Sequence, residues 1–330
     1  MKRRYLLLLG GLVALTGCAL SPLTGSLVSP RDRQIEASER VAEAVQRLKK
    51  DGDSAGANQL LADAVRLLEP LGSGAGRVEV ARQLMEYGQP GTAWKLLEPL
   101  THKPETQDDP LLWGMLALSA QKAGMNEQQE RAQKQASELA DAALAQVGKT
   151  LPADAADRRK RASLYMSVSR YFTESAPDPQ KAIRASEEAL RLFESFETLN
   201  SLGFTLADQG SKPGDFERAV MLTYKALQQV PDDAEARAVV LDSYGWALYK
   251  RGDMKAQDWE GARRVLREAV DLPYENPEIR YHLGVVYGAL GLDNEAKLEL
   301  SRALLLRPGY PEAAQALRRY QPLLRSAPAP

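Results

Sequence analysis

Leu283-Gly284-Val285-Val286-Tyr287, followed by Ala296, Leu300, Ala303 and Pro308, is the stretch that decides the fold. Its apolar and small residues recur at steps of three and four, the period of a helix with one buried face. The same order of residues stands earlier as Tyr244-Gly245, Leu248, Ala262, Leu266 and Ala269. It stands once more as Leu202-Gly203, Leu206, Ala219, Thr223, Ala226 and Pro231. A helix–turn–helix unit of this size cannot bury its apolar face alone, so three consecutive copies imply a stack. Glycine at 203, 245 and 284 and alanine at 219, 262 and 296 would let the two helices of each unit approach closely.

Gly284 and Ala296 are 12 residues apart, whereas Gly203 to Ala219 is 16 and Gly245 to Ala262 is 17. The added residues are expected in the turns at Gly210–Gly214 and Gly252–Gln257, protruding on one edge. Upstream the pattern thins. Ala182, Ser186 and Ala189 mark a second helix whose first helix is expected around Ser163 to Thr173. Ala93-Trp94, Leu97 and Leu100 mark another second helix, and Trp113-Gly114 with Ala117 a first one. Gln34 to Leu71 reads as one more pair, with Ala57, Leu61 and Ala64 in its second helix. No run alternates β-branched and polar residues, so the chain reads as all-α, and Asp109-Pro110 is an expected N-cap with proline in the first turn.

The spacing L-G-x2-Y, then A-x3-F-x2-A, then P, resembles the tetratricopeptide repeat (TPR), with longer turns like those of Sel1-like repeats. That likeness implies a right-handed superhelical solenoid of about seven helical hairpins, ended by a capping helix from Pro311 to about Leu324. In TPR proteins the first helices line a groove that receives peptides. Stepping three back, one forward and four forward from each motif glycine selects Asn200, Phe204 and Ala207, then Asp242, Trp246 and Tyr249, then Tyr281, Val285 and Gly288. The resemblance makes Asn200, Phe204, Asp242, Trp246, Tyr249, Tyr281 and Val285 the partner-binding groove. Trp246 and Tyr249 have a second reading, packing against the next repeat, and the two differ in what truncation costs. The runs Leu199–Asp208, Leu241–Tyr249 and Pro277–Gly284 also resemble bacterial envelope repeat lipoproteins. Some of that group act as adaptors for periplasmic C-terminal processing proteases.

Met1-Lys2-Arg3-Arg4 is a basic start to an apolar stretch, Tyr5 to Leu15, too short to cross a bilayer as a stable helix. It reads as an export leader. Leu15-Thr16-Gly17-Cys18 then resembles a lipobox, which implies cleavage after Gly17 and a diacylglyceryl group, usually with a further acyl chain such as palmitate, on Cys18. Two or more chains anchor stably where one is marginal. By the same resemblance, Ala19 points to the outer membrane, facing the periplasm. The expected layout is a signal peptide at 1–17, a Ser/Pro/Gly tether at 18–33, degenerate TPR-like repeats at 34–175, TPR repeats with the capping helix at 176–324, and a disordered tail at 325–330.

The 330 residues carry 43 Lys plus Arg against 44 Asp plus Glu, which gives no electrostatic footprint for nucleic acid. One cysteine and two histidines, His102 and His282, supply neither a disulfide framework nor a His-rich metal site. Leu71-Gly72-Ser73-Gly74-Ala75-Gly76 lacks the preceding strand and the Gly-Lys-Ser/Thr of a phosphate loop and reads as an inter-helix turn. Arg158-Arg159-Lys160-Arg161 follows Asp154 and Asp157 and reads as a solvated helix start. His282 reads as a surface or packing residue, too distant in sequence from His102 to pair with it. No enzyme, cofactor, metal or small-molecule substrate is expected. The expected function is a non-enzymatic envelope adaptor that holds a protein or peptide partner in the periplasm, with an assembly factor of pilotin or exopolysaccharide-export type as the alternative.

Overall fold

The computed structural model describes residues 30–50, 53–68, 75–252 and 257–320, and every regular element among them is helical. Helices α1 (Pro30–Lys50) and α2 (Ser54–Leu68) form the first hairpin, and α3 (Ala75–Glu86) with α4 (Pro90–Leu97) the second. A 3-10 turn, Glu98–His102, extends α4 and carries Leu100 into the core. The next hairpins are α5 (Pro110–Lys122) with α6 (Asn126–Leu144), and α7 (Ala155–Glu174) with α8 (Pro179–Leu192). Then come α9 (Phe196–Gln209) with α10 (Pro213–Gln229), α11 (Ala234–Gly252) with α12 (Gln257–Asp271), and α13 (Pro277–Ala289) with α14 (Asp293–Leu306). Helix α15 (Pro311–Arg318) packs against α13 and α14 as a cap. The result is an all-α solenoid of seven hairpins and a cap.

Local chemistry sets the helix starts. Asp109 Oδ1 accepts from the main-chain N–H of Leu111 at 2.9 Å, and Asp178 and Asn276 cap α8 and α13 in the same way, each followed by proline. Such a cap satisfies amides that the helix leaves free, and proline there loses no hydrogen bond. The motif glycines act through space: a Cβ on Gly245 would lie 2.6 Å from Leu266 Cγ, and one on Gly284 2.8 Å from Leu300 Cγ. Ala219, Ala262 and Ala296 are fully buried on the facing helices.

Several boundaries differ from the sequence expectation. The added residues of the longer units do not make a longer turn between α9 and α10, which are joined by Gly210 to Lys212 alone, the same number as join α13 and α14. They lengthen the helices instead, because four residues are close to one helical turn and leave the buried face in register. In the next hairpin, α11 runs on to Gly252 and α12 starts at Gln257, with 253–256 outside the described residues. Helix α1 begins at Pro30, inside the stretch expected as tether, since proline suits the first position of a helix. Helix α7 starts at Ala155, well before Ser163, because Asp154 caps it by accepting from Asp157 N. Gly76 is helical, not part of a turn, and Leu71–Gly74 lie outside the described residues, as do the leader, Cys18, Leu324 and the tail.

Apolar packing divides after α8. One buried cluster runs from Ala37 to Leu192, and a second from Leu199 to Ala296. The seam between them carries a hydroxyl cluster: Ser186 Oγ donates to Ser169 Oγ at 2.7 Å and lies 3.1 Å from Thr205 Oγ1, joining α7, α8 and α9. A cavity of about 430 Å³ is lined by residues of α1, α3, α5, α7 and α11, the link into α13, Leu68 of α2 and Leu306 of α14.

Candidate functional site

Consecutive first helices bring the expected groove residues side by side. Asn200 and Phe204 come from α9, Asp242, Trp246 and Tyr249 from α11, and Tyr281 and Val285 from α13. Each set repeats at three or four residues, so helical geometry alone puts it on one stripe. Asn200, Phe204, Tyr249, Tyr281 and Val285 are half-buried. Trp246 and Asp242, at 7% exposure each, lie beneath them.

The stripe is bound into an aromatic ladder. The Trp246 ring stacks on His282 at 4.2 Å between centroids and on Tyr249 at 5.0 Å, with Tyr281 at 6.5 Å. Tyr281 in turn packs on Tyr310 at 5.2 Å, and Phe204 lies 6.3 Å from His282. Trp246 therefore takes the packed arrangement, bridging α11 to α13, while Tyr249 and Tyr281 keep open surface. Two buried atoms on the stripe, Asn200 Oδ1 and Trp246 Nε1, have no hydrogen-bond partner among the described residues.

His282, read from the sequence as a surface or packing residue, is a packing one, and its pairing with Asp242 is what that reading missed. His282 is 6% exposed, and its Nδ1 lies 2.8 and 3.0 Å from the two carboxylate oxygens of Asp242. Burial alone would push the imidazole down, but the Asp242 carboxylate, with Glu278 and Asp208 behind it, outweighs burial and raises its pKa above the ordinary value. The signal was available: Asp242 sits three before Gly245 and His282 two before Gly284, so the repeat spacing puts them on facing first helices. An imidazole stacked on indole and held by a carboxylate is a rigid polar strut between α11 and α13. His102 lies apart, exposed, 3.5 Å from Glu98.

Glu278, one turn before His282 on α13, faces a second charged group. Its carboxylate accepts from Arg307 at 3.2 Å and lies 3.9 Å from Arg82 of α3. Burial works against its ionisation, yet Arg307, Arg82 and His282 prevail and hold its pKa below the ordinary carboxylate value. The basic run at the start of α7 is tied locally: Arg158 donates to the Pro152 and Ala153 carbonyls, and Arg159 sits 4.8 Å over the Phe193 ring. Among the described residues no group of His, Cys, Asp and Glu has the geometry to hold a metal ion, and no helix is long and apolar enough to cross a membrane. Chemically, the stripe offers aromatic surface, a carboxamide and buried charge, a composition for grasping an extended segment.

Over 86 residues, 26% of this chain, the sequence is 36% identical to a TPR repeat-containing protein of Pseudomonas aeruginosa, and the match covers 12% of that protein. The chain thus spans a small part of the curated relative it matches. No protein-family profile matches the chain. Among solved structures it is similar to yeast Tom70, with a TM-score of 0.46 at 14% identity, over 88% of this chain and 54% of that one. It is also similar to a tetratricopeptide repeat protein from Parabacteroides merdae, with a TM-score of 0.42 at 14% identity, over 86% of this chain and 98% of that one. The curated relative supports reading the repeats as TPR units.

Proposed function

We propose that this TPR-type solenoid is a non-enzymatic adaptor of the bacterial envelope, anchored by lipid on Cys18, that holds a protein partner along the inner stripe of α9, α11 and α13. The observation that carries the groove reading is the juxtaposition of Phe204, Tyr249 and Tyr281 with Asn200 on three consecutive first helices. Aromatic rings give an extended segment apolar pockets, while side chains such as Asn200 can reach its main chain. An unpaired buried acceptor or donor costs about 1–3 kcal/mol. Asn200 Oδ1 and Trp246 Nε1 would regain some of that if a partner's groups reach them. The anchor rests on the sequence alone, where the sole cysteine directly follows the export leader and Leu15-Thr16-Gly17. The resemblance to adaptor lipoproteins makes a periplasmic protease or peptidoglycan hydrolase the expected partner.

Two measurements test this reading. Cys18→Ala in the full chain should abolish labelling by lipid precursors and release the protein under mild washing; a variant held as firmly as the parent refutes the anchor. A photo-crosslinking amino acid in place of Tyr249, introduced in living cells, should give a discrete adduct with a periplasmic enzyme. An adduct with a secretin or polysaccharide-export component would shift the role to assembly factor, and no adduct would refute the groove.

A further inference from the structure

The solenoid turns far enough to meet itself. Gly309, in the link between α14 and α15, lies so near the C-terminal end of α3 that a Cβ there would fall 2.4 Å from Glu86 Cβ and 3.0 Å from Glu86 Cα. Beside it Arg307 Nε stands 3.5 Å from Glu86 Oε1, and Arg82 of α3 reaches both Glu278 of α13 at 3.9 Å and Glu174 of α7 at 3.4 Å. Further round, Arg33 of α1 faces Glu235 of α11. Some 196 to 223 residues of chain separate the partners across this junction.

What holds the junction differs from what holds the hairpins. Neither buried apolar cluster crosses it: α3 belongs to the cluster that ends at Leu192, whereas Ala303, Tyr310 and Ala313 form a small cluster of their own with Tyr281 and Leu304. Among the described residues no main-chain hydrogen bond joins α3 to α13, α14 or α15. Among the described residues the crossing contacts include ion pairs at 3.5 to 3.9 Å, the Arg33–Glu235 attraction and one glycine pressed against Glu86. Ion pairs of this kind add little stability in partly hydrated surroundings and lack the term that makes core packing stable.

We propose that the junction of α3 with Glu278, Arg307 and Gly309 is a reversible latch, and that its release opens the closed solenoid into a trough along which a partner can enter. The charges give it a direction. Arg307 comes from the α14–α15 link, Glu278 from α13, and Glu79 and Arg82 from α3 itself; Tyr310 packs on Arg307, and Lys49 of α1 binds the adjacent Tyr87 carbonyl. Four carboxylates, Glu79, Glu86, Glu174 and Glu278, thus surround Arg82 and Arg307, with Arg170 also paired to Glu174. Burial first, then Glu79 and Glu278, push the Glu86 carboxyl up to about 7 against the pull of Arg307 and Arg82.

In the open form Glu86 is hydrated and returns toward its ordinary value of 4.5. The closed form therefore binds a proton that the open form lacks between those values, and closure weakens as pH rises from about 4.5 to about 7 and is level above that. Glu278, held low, acts in the opposite sense only at lower pH. It is also the link to the stripe, since His282 one turn along shares it with Arg307 and Arg82. Admission of a partner rests on the groove reading above; the latch itself does not.

The test is a pair of spin labels in the full chain carrying Cys18→Ser, one at Lys95→Cys on α4 and one at Leu305→Cys on α14, both exposed sites. Pulsed dipolar spectroscopy should give one short distance at pH 5 and a second, longer population at pH 8, with the closed-to-open ratio falling about tenfold or more. Arg307→Ala should populate the long distance at both pH values, and Glu86→Gln, neutral throughout, should remove the pH dependence and stay closed. A single short distance in parent and Arg307→Ala alike at both pH values would overturn the latch, as would a pH response that survives Glu86→Gln. Loss of the Tyr249 adduct with these distances intact would fault the groove and leave the latch standing.

Discussion

Trp246 separates what a residue type suggests from what its surroundings make of it. Its position one past Gly245 places it on the groove stripe, but stacked on His282 and 7% exposed it works chiefly as core. Trp246→Ala is therefore expected to cost about 3–5 kcal/mol in urea unfolding, whereas Tyr249→Ala, with open surface, should cost much less. A Trp246→Ala variant with a parental transition would return Trp246 to the role of binding anchor. His282 gives a pH prediction at the same scale. Its pKa is raised in the fold, so its share of stability is complete below 6.5 and is lost as pH climbs through the folded value. Asp242→Asn should lower the His282 titration midpoint seen by nuclear magnetic resonance and move that loss to lower pH; an unchanged midpoint would mean that Asp242 does not set the charge. The stripe was legible from the motif glycines. Its layering was not, because burial depends on the neighbouring helix, although the repeat spacing already put Asp242 and His282 on adjacent first helices.

At the scale of the element, the glycines of one hairpin make opposite predictions. A Cβ at Gly245 meets Leu266 Cγ at 2.6 Å, while one at Gly261, on α12 of the same hairpin, meets nothing nearer than Leu248 Cδ1 at 3.6 Å. Gly245→Ala should destabilise by about 1–3 kcal/mol through overpacking. Gly261→Ala should be neutral or stabilise by up to about 1 kcal/mol, since alanine loses less backbone freedom in a helix. Equal effects of the two in thermal unfolding would mean that the close approach of α11 and α12 is not what the glycine serves. Spacing alone made these contacts visible in the sequence. It misplaced the added residues of the α9–α10 unit, because an insertion of nearly one helical turn reads as a loop in the sequence yet propagates as helix wherever capping allows, as Pro213 does for α10. Upstream, Asp154 set the start of α7 more firmly than the faint periodicity after it.

For the whole molecule, the repeat count followed from the three well-spaced C-terminal units and the fainter pairs before them. The meeting of α3 with Arg307 and Gly309 did not, since the accumulated twist of seven hairpins leaves no local trace in the sequence. That closure bears on function, because the inner stripe is then a surface within a turn rather than an open face. On the proposal above, the stripe of first helices, and no other surface, holds the partner. This is tested most directly by comparing the full chain with a Tyr249→Ala, Tyr281→Ala double variant, each recovered from cells with its crosslinked partners identified by mass spectrometry. The variant, with parental helicity and a melting temperature within a few degrees of the parent, should lose the parent's principal partner. Recovery of that partner in undiminished amount by the folded variant would contradict it.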